Sequence, residues 1–329
     1  MNSTTIMNGP RSVKVTNVKF LLQSAGIGRG FDMTVQPSSR FVVITGASTG
    51  IGAGCALGCA QQGMTVFAGV RDLRAGEALK AGAGASIIPI RLDVTDEESI
   101  RQAAEVVRQI TGEAGLAGLI NNAGIAIGSP LEVIPLDQLR RQLEVNVIGQ
   151  IAVTQAFLPL LRLGRGRIVN MGSIAGRGTI PMMGPYSASK FALEALTDAL
   201  RLELQPWGIE VSIIEPGAIA TPIWEKSLKT AGDVEAGISG EGKRLYEEAA
   251  RRVKETVDQA AQRAIPVDAV VEAVLHALTA SRPKTRYLVG TDAKIRAIMI
   301  KWLPDRAQDW LLRKFLNLPA ISSRVTGNE

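Results

Sequence analysis

The chain has one histidine and two cysteines among its 329 residues. His276 falls in an apolar helical pattern, and Cys55 and Cys59 lie four residues apart in a predicted helix. We therefore expect all three to have packing roles. A single histidine argues against a histidine-based hydrolase or a multi-histidine metal centre, so no metal site is predicted. Two cysteines give no disulfide framework, which favours a reducing, cytoplasmic setting.

Long hydrophobic runs are also missing. No apolar stretch reaches the roughly 20 residues that span a bilayer, and the N-terminus lacks the sustained apolar segment of a secretory signal. The net charge of +6 lies at the two ends, with +4 in residues 1–40 and +4 in residues 294–329, which leaves −2 for residues 41–293. No nucleic-acid partner is predicted, because the central part has no basic excess.

What the sequence does contain is a regular alternation of apolar runs and helical patterns from residue 41 onwards. Strands are predicted at 41–45, 65–70, 86–92, 116–121, 167–172, 209–214 and 286–290, and long helices at 52–62, 97–111, 136–163 and 187–206. This order predicts an α/β fold with a parallel sheet of about seven strands and helices on both faces.

The chain divides into three segments. Residues 1–38 are polar and basic and predict a disordered extension, unless translation begins at Met33. Residues 39–293 form one predicted domain, in which 222–266 are a long insert. Residues 294–329 form an apolar and basic tail.

A tyrosine and a lysine lie four residues apart on one face of a predicted helix. The ammonium of Lys190, one turn from Tyr186, favours the phenolate, so we expect it to lower the pKa of Tyr186. Ser173 ends the fifth predicted strand, and Asn146 precedes it in the long helix. A lone Tyr-x-x-x-Lys spacing is common on solvated helices. The prediction of a catalytic site therefore rests on all four residues appearing in this order.

A glycine-rich turn follows the first strand. Gly46, Gly50 and Gly52 are spaced G-x-x-x-G-x-G at the start of a helix. Such glycines let the backbone approach a pyrophosphate, which then sits at the helix N-terminus. Taken alone, they are also compatible with a tight turn that binds nothing.

Together these residues resemble the short-chain dehydrogenase/reductase superfamily over about residues 41–293. The resemblance rests on the motifs Thr-Gly-Ala-Ser-Thr-Gly-Ile-Gly at 45–52, Asn-Asn-Ala-Gly at 121–124, Asn146, Ser173 with Tyr186 and Lys190, and Pro216-Gly217 with Thr221. It implies a single Rossmann-like doubly wound domain. It also implies an NAD(P)-dependent alcohol dehydrogenase or ketone reductase that forms a homodimer or homotetramer.

The resemblance implies a role for each motif residue. Tyr186 is the acid/base that exchanges a proton with the substrate oxygen, and Ser173 donates a hydrogen bond to that oxygen. Lys190 lowers the pKa of the tyrosine and holds the nicotinamide ribose, and Asn146 anchors a water relay. The implied cofactor-binding residues are Gly46, Ser48, Thr49, Gly50, Ile51, Gly52, Arg71, Asp93, Val94, Asn121, Ala123, Gly124, Tyr186, Lys190, Pro216, Gly217, Ile219 and Thr221. Asp93 would contact the adenine, or would instead cap the following helix.

The end of the second strand selects the cofactor, because an acid there binds the ribose 2′-hydroxyl and an arginine pairs with a 2′-phosphate. Val70 stands where NAD-preferring relatives carry aspartate, and Arg71 follows it. We therefore predict a preference for NADP(H), with NAD(H) as the alternative. The neighbouring Asp72 and the uncharged Thr49 weigh against this preference.

The segment 66–73 and the extra C-terminal length resemble the branch that holds 17β-hydroxysteroid and retinol dehydrogenases. This resemblance implies a lipophilic alcohol or ketone substrate, such as a steroid or retinoid. In the superfamily the 222–266 region covers the substrate, so Met182, Met183 and Trp224 would form an apolar wall, or each is instead a core residue. A 3-oxoacyl-carrier-protein reductase is an alternative that the long insert disfavours. A non-catalytic NADP-sensing protein is a second alternative, which the complete Asn-Ser-Tyr-Lys set disfavours.

The tail combines apolar and basic residues at 295–303 and 310–316, with Pro304 between them. Such segments suit an interfacial helix on anionic lipid, or they pack over the pocket or against a second subunit. We expect the tail to close the substrate pocket and to give, at most, peripheral membrane contact.

Overall fold

The computed structural model describes residues 40–318 with the exception of 225, 226, 228–233, 235 and 236. The predicted extension at 1–38, with Met33, lies outside the described residues. So do the end of the tail, 319–329, and part of the 222–266 insert.

Seven parallel strands form one sheet in the order β3-β2-β1-β4-β5-β6-β7. The strands are β1 Arg40–Thr45, β2 Met64–Val70, β3 Ile87–Arg91, β4 Gly118–Asn121, β5 Arg167–Met171, β6 Glu210–Pro216 and β7 Arg286–Val289. The strand order reverses between β1 and β4, so the crevice beyond their carboxyl ends is where doubly wound sheets bind ligands. The predicted fold class is confirmed.

Helices cover both faces of the sheet. They are α1 Gly50–Gln61, α2 Leu73–Ala83, α3 Glu97–Thr111, α4 Leu136–Leu143, α5 Gly149–Gly164, α6 Gly184–Glu203, α7 Gly240–Gln262, α8 Asp268–Thr279, α9 Thr291–Trp302 and α10 Asp305–Phe315. One apolar cluster joins α1 and α8 to the sheet, and a second joins α3 and α5 to the opposite face. The alternating apolar runs therefore build two core layers around one sheet.

Two predicted helix boundaries are corrected. The long helix at 136–163 is interrupted by a turn of π-helix, Glu144–Ile148, which contains Asn146. Such a turn re-aims one side chain within a helix and is frequent at functional sites. The helix predicted from Ser187 begins instead at Gly184, where Pro185 suits the first turn. Tyr186 consequently lies in the first turn of α6.

The segment Leu136–Gly164 is, among the described helices, the one long and apolar enough to cross a membrane by length and composition. The sequence predicted no stretch of this kind. Val153, Phe157 and Leu161 of this segment are fully buried against the sheet. A core helix passes the same test, so the finding is weak evidence for a membrane span.

The histidine and the two cysteines have the surroundings of packed residues. Cys55 and Cys59 are buried on α1, and burial raises the pKa of the Cys59 thiol to about 12. His276 Nδ1 lies 2.8 Å from the Tyr287 hydroxyl. Within the described residues, no cluster of three or more histidine, cysteine or acidic side chains could hold a metal ion.

Candidate active site

The glycine-rich turn between β1 and α1 has the shape of a phosphate cradle. Gly46 and Gly50 adopt φ values of +63° and +59°, which side chains other than glycine rarely adopt. A Cβ on Gly52 would lie 2.3 Å from the Gly46 carbonyl oxygen and 2.5 Å from Asn122 Nδ2. The first turn of α1 has no acidic residue, and the Thr49 side chain does not cap it. Its N–H groups and dipole therefore fit an anionic phosphate.

The turn is held in place from the neighbouring strand β4. Thr45 Oγ1 accepts hydrogen bonds of 2.9 Å from the backbone N–H groups of both Asn122 and Ala123. Asn122 Nδ2 donates to the carbonyls of Thr45 and Gly46 at 3.0 and 3.1 Å. Asn122 was not among the predicted site residues, although its position inside the Asn-Asn-Ala-Gly motif pointed to it.

The Asn121 side chain lies inside the fold. Its Nδ2 donates to Thr154 Oγ1 and to Asn170 Oδ1, both at 2.9 Å, and the residue is 1% exposed. Asn121 thus joins β4 to α5 and β5. Any contact that its side chain makes with a cofactor would be indirect, through the loop it anchors.

Asp93 does not cap the helix that follows it. Its Oδ1 accepts from the backbone N–H and the hydroxyl of Thr95 at 3.0 and 2.8 Å, which forms a local turn. The N-cap of α3 is Asp96, which accepts from the N–H groups of Glu98 and Ser99. The capping alternative for Asp93 is therefore wrong. Val94 beside it is buried.

The end of β2 carries more positive charge than the sequence analysis recognised. Arg71 is exposed, and Arg91 lies at the end of β3 opposite Val70. Asp72 caps α2 by accepting from the Arg74 N–H at 3.0 Å, and its carboxylate lies 3.6 Å from Arg74 Nε. Asp72 is thus engaged in a local cap. The register between β2 and β3, which places Arg91 beside Val70, cannot be derived from the sequence.

Tyr186, Ser173 and Lys190 meet where α6 passes the end of β5. The Ser173 hydroxyl lies close enough to that of Tyr186 to lower the pKa of the phenol. Lys190 is buried, and its Nζ donates to the Met171 carbonyl at 2.7 Å and lies 5.8 Å from the centre of the Tyr186 ring. Burial lowers the pKa of Lys190 to about 8.

The pKa of Tyr186 is raised in this structure, whereas the sequence suggested a lowered value. Burial raises it, and the interaction with the Ser173 hydroxyl opposes the rise without reversing it. Desolvation disfavours a charged phenolate more than that interaction stabilises it. Tyr186 is therefore a protonated phenol at neutral pH and is able to donate a proton. The contribution of Lys190 to the pKa of Tyr186 stays a prediction.

Asn146 is fixed by three hydrogen bonds. Its Oδ1 accepts from the Ile125 N–H at 2.9 Å, and its Nδ2 donates to the Ile125 carbonyl at 2.9 Å and to Ser189 Oγ at 3.0 Å. Ser189 Oγ in turn donates to the Tyr186 carbonyl at 2.6 Å. Asn146 thereby ties the loop after β4 to the helix that carries Tyr186. The sequence analysis did not identify the part played by Ser189, although it lies inside the Tyr-x-x-x-Lys motif.

The loop that follows β6 is held from two sides. The Ala218 carbonyl accepts from the Ile265 N–H at 3.1 Å, and the Ala218 N–H donates to Asp292 Oδ2 at 2.8 Å. Trp224 Nε1 donates to the Ile219 carbonyl at 2.7 Å. These bonds bring the predicted residues after β6 to the same edge of the sheet as the glycine turn; they are Pro216, Gly217, Ile219 and Thr221. The two loops approach closely, since a Cβ on Gly50 would lie 3.2 Å from Thr221 Cβ.

An apolar region adjoins the Tyr186 end of the site. Ile127, Ile134 and Val234 form a small buried cluster. Met182 adopts φ +68°, a strained value for a side chain of this size, and its carbonyl accepts from the Ser129 N–H at 2.8 Å. Met182 and Met183 lie between Ser173 and Tyr186 in the sequence, and both are half-buried. Their burial is compatible with the predicted apolar wall.

Comparison with known proteins points to the family that the motif residues resemble. A family model described as short chain dehydrogenase matches residues 40–232. The chain is 35% identical to an NADPH-dependent 3-dehydrocapnine reductase from Ornithobacterium rhinotracheale, over 84% of this chain and 97% of that protein. It is 37% identical to retinol dehydrogenase 5 from Mus musculus, over 87% of this chain and 91% of the relative.

A solved structure resembles the fold as well. A short chain dehydrogenase from Burkholderia cenocepacia in complex with NADP superposes with a TM-score of 0.63 and 28% sequence identity. The match covers 87% of this chain and all of that one.

Replacing Gly52 by alanine tests the phosphate cradle. The new methyl group would overlap the Gly46 carbonyl and Asn122 Nδ2, so we expect Gly52→Ala to weaken NADP(H) binding at least about tenfold, a cost of roughly 1.4 kcal/mol. Titration calorimetry measures the affinity, with circular dichroism as a check on folding. Gly82→Ala is the control, because its Cβ would meet nothing within 4 Å. Equal affinity in the wild type and in Gly52→Ala would contradict the cradle.

Proposed function

The chain belongs to the short-chain dehydrogenase family, and we propose that its Ser173, Tyr186, Lys190 and Asn146 catalyse hydride exchange between a nicotinamide cofactor and a lipophilic alcohol or ketone. NAD(P)-dependent oxidoreduction of an alcohol and its carbonyl is the activity of the family branch to which it is similar. The observation that carries the residue assignment is the proximity of Ser173 to Tyr186, with Lys190 Nζ 5.8 Å from the centre of the tyrosine ring.

Ser173 and Tyr186 polarise the substrate oxygen. Two hydroxyl groups directed at one carbonyl oxygen stabilise the negative charge that develops there during reduction. Because burial keeps Tyr186 protonated, its hydroxyl delivers a proton to that oxygen. The nicotinamide, when bound, supplies the hydride.

Lys190 and Asn146 support the tyrosine. The Lys190 ammonium is held at the Met171 carbonyl. It stabilises the negative charge that forms on Tyr186 as the proton leaves the phenol, since the two charges have opposite sign. Asn146 fixes the first turn of α6 through Ser189, and we assign to it the position from which water returns the proton to Tyr186.

NADP(H) is the cofactor that the end of β2 fits best. Arg71 is exposed directly after β2, and Asp72 is occupied in capping α2. A guanidinium pairs with phosphate through charge-assisted hydrogen bonds, which an unsubstituted ribose cannot form. The NADPH dependence of one relative and the NADP bound to one structural relative agree with this choice.

A lipophilic substrate suits the apolar end of the site, where Ile127, Ile134 and Val234 cluster near Met182. The tail adds to this enclosure. Ala293 and Ala297 of α9 pack against Ile174. Arg296 Nη2 donates to the Gly178 carbonyl at 3.0 Å, so α9 braces the segment after Ser173. We propose a retinoid, a steroid or a molecule of similar apolarity as the substrate class, and a homodimer or homotetramer as the assembly.

Replacing Tyr186 by phenylalanine tests its acid/base role. Tyr186→Phe keeps the ring and its packing but removes the ionisable hydroxyl, so we expect kcat to fall at least about 100-fold, since general acid–base catalysis typically contributes that much or more. NADP(H) affinity should stay within a factor of about two of the wild type. Steady-state kinetics and calorimetry measure the two quantities. A variant that keeps more than a few per cent of the wild-type kcat would overturn the assignment.

Replacing Arg71 by alanine tests the cofactor preference. We expect Arg71→Ala to reduce kcat/KM with NADP(H) about tenfold or more relative to NAD(H), because a charge-assisted hydrogen bond contributes roughly 1.5–3 kcal/mol. Arg74→Ala is the matched control, since Arg74 is 95% exposed and pairs with Asp72. An unchanged ratio of the two kcat/KM values in Arg71→Ala would rule out this role.

The exposed face of the tail is proposed to give peripheral membrane contact. Trp302, Trp310 and Phe315 are 74%, 60% and 75% exposed, and Lys301 and Lys314 lie beside the two tryptophans. We expect the triple change to serine at Trp302, Trp310 and Phe315 to abolish co-sedimentation with phosphatidylserine vesicles. Activity on a soluble substrate should be kept, because α9 retains its contacts with Ile174 and Gly178. Vesicle binding equal to that of the wild type would eliminate this surface as the contact.

A further inference from the structure

A cluster of charged residues lies directly behind the catalytic helix, outside the predicted site. Glu215, at the end of β6, is fully buried and binds the guanidinium of Arg177 through both carboxylate oxygens, with Arg177 Nη2 2.7 Å from Oε1. Arg286 of β7 lies 3.7 Å from the same carboxylate. Arg286 also donates to Glu194 Oε2 at 3.1 Å and to Asp198 Oδ2 at 2.6 Å, both on α6.

Glu194 is the member of this cluster that lies one helical turn from Lys190. The two residues are four apart on α6, so they share one helix face. The turn Ile174–Gly176 packs tightly at this point, since a Cβ on Gly176 would lie 3.0 Å from the Lys190 carbonyl oxygen and 3.2 Å from Glu194 Cγ. Glu194 Oε1 is buried and has no hydrogen-bond partner among the described residues. One carboxylate oxygen is thus held by Arg286, and the other is left without a partner.

We propose that Glu194 is a positioning residue of the reaction, whose carboxylate keeps the Lys190 ammonium charged and so keeps Lys190 able to act on Tyr186. The proposal rests on the catalytic role assigned to Lys190 above. A buried ammonium with one carbonyl partner needs a nearby negative charge, because desolvation otherwise favours its neutral form.

The charged groups that face this pair come from every element packed around it. Lys190 faces Tyr186 and Glu194 on its own helix and the Met171 carbonyl of β5. Glu194 faces Glu215 of β6, Arg286 of β7 and Arg177 of the segment after Ser173. Burial and the Glu215 charge raise the pKa of Glu194 to about 7, and the Glu194 charge opposes the lowering of the Lys190 pKa.

The pH range in which Glu194 acts follows from the raised pKa of Glu194 and the lowered pKa of Lys190. Above about pH 7 Glu194 is a carboxylate and supports the charged form of Lys190, whose pKa is about 8. Below that pH Glu194 is protonated, and a glutamine in its place is electrically equivalent. A neutral substitution at Glu194 should therefore change the enzyme only at neutral and alkaline pH, which a purely structural contribution would not do.

The decisive variant is Glu194→Gln, with Glu194→Ala in its place if the first does not fold. We expect kcat/KM of the variant to equal that of the wild type within a factor of about two at pH 6 and to fall about tenfold below it at pH 9. This follows because loss of an adjacent opposite charge lowers the Lys190 pKa by about one pH unit. Glu194→Asp should preserve the wild-type profile. Asp198→Asn is the matched control, since it also removes an Arg286 partner but lies two turns from Lys190.

A second readout does not depend on turnover. The Lys190 side chain, labelled with ¹³C at Cε and assigned with a Lys190→Arg variant, is titrated by NMR in the wild type and in Glu194→Gln. We expect the midpoint to move down by about one pH unit in Glu194→Gln and to stay in place in Asp198→Asn. An unchanged Lys190 midpoint, or an equal loss of activity at all pH values, would overturn the proposal. If Lys190→Ala kept full activity, the catalytic role of Lys190 would fail instead, whatever the NMR result.

Discussion

The buried carboxylate of Glu215 is the constraint on which the geometry of the site depends. An ionised carboxylate removed from water is strongly unfavourable unless it is paired with a cation and hydrogen-bonded. Arg177 and Arg286 provide that compensation, and they come from the segment after Ser173 and from β7. Arg286 also binds α6 at Glu194 and Asp198. The strand end, the segment after Ser173 and the helix that carries Tyr186 are therefore held together by ion pairs around Glu215 and Arg286.

Parallel strands supply the second constraint. Since all seven strands run in one direction, their carboxyl ends lie at one edge, and residues separated by 74 to 78 positions become neighbours there. Thr45 from β1 anchors Asn122 and Ala123 after β4, and Asp292 after β7 anchors Ala218 after β6. The loops after β1 and β4 are thus bonded to each other, and so are those after β6 and β7.

The sequence predicted the sheet, its seven strands and the four proposed catalytic residues, because apolar periodicity and motif spacing are local properties. It did not predict the π-helical turn at Asn146, whose side chain bonds Ile125, 21 residues away. It missed Arg91, which adjoins Val70 only through the strand register. It also gave the wrong direction for the Tyr186 pKa, since a helical spacing shows that Lys190 is near but not how much water the fold removes.

Burial therefore acts on the two titrating groups in opposite directions. It raises the pKa of Tyr186 and lowers that of Lys190 to about 8, so both groups are driven towards their neutral forms. A neutral phenol is what proton donation to a carbonyl requires, whereas alcohol oxidation needs the phenolate and hence a charged lysine beside it. Under the proposal above, the charge state of Lys190 is set behind the helix, by how much negative charge the Glu194–Arg286–Glu215 cluster leaves for it. On that proposal, residues that touch neither substrate nor cofactor decide which protonation state of Tyr186 the reaction meets.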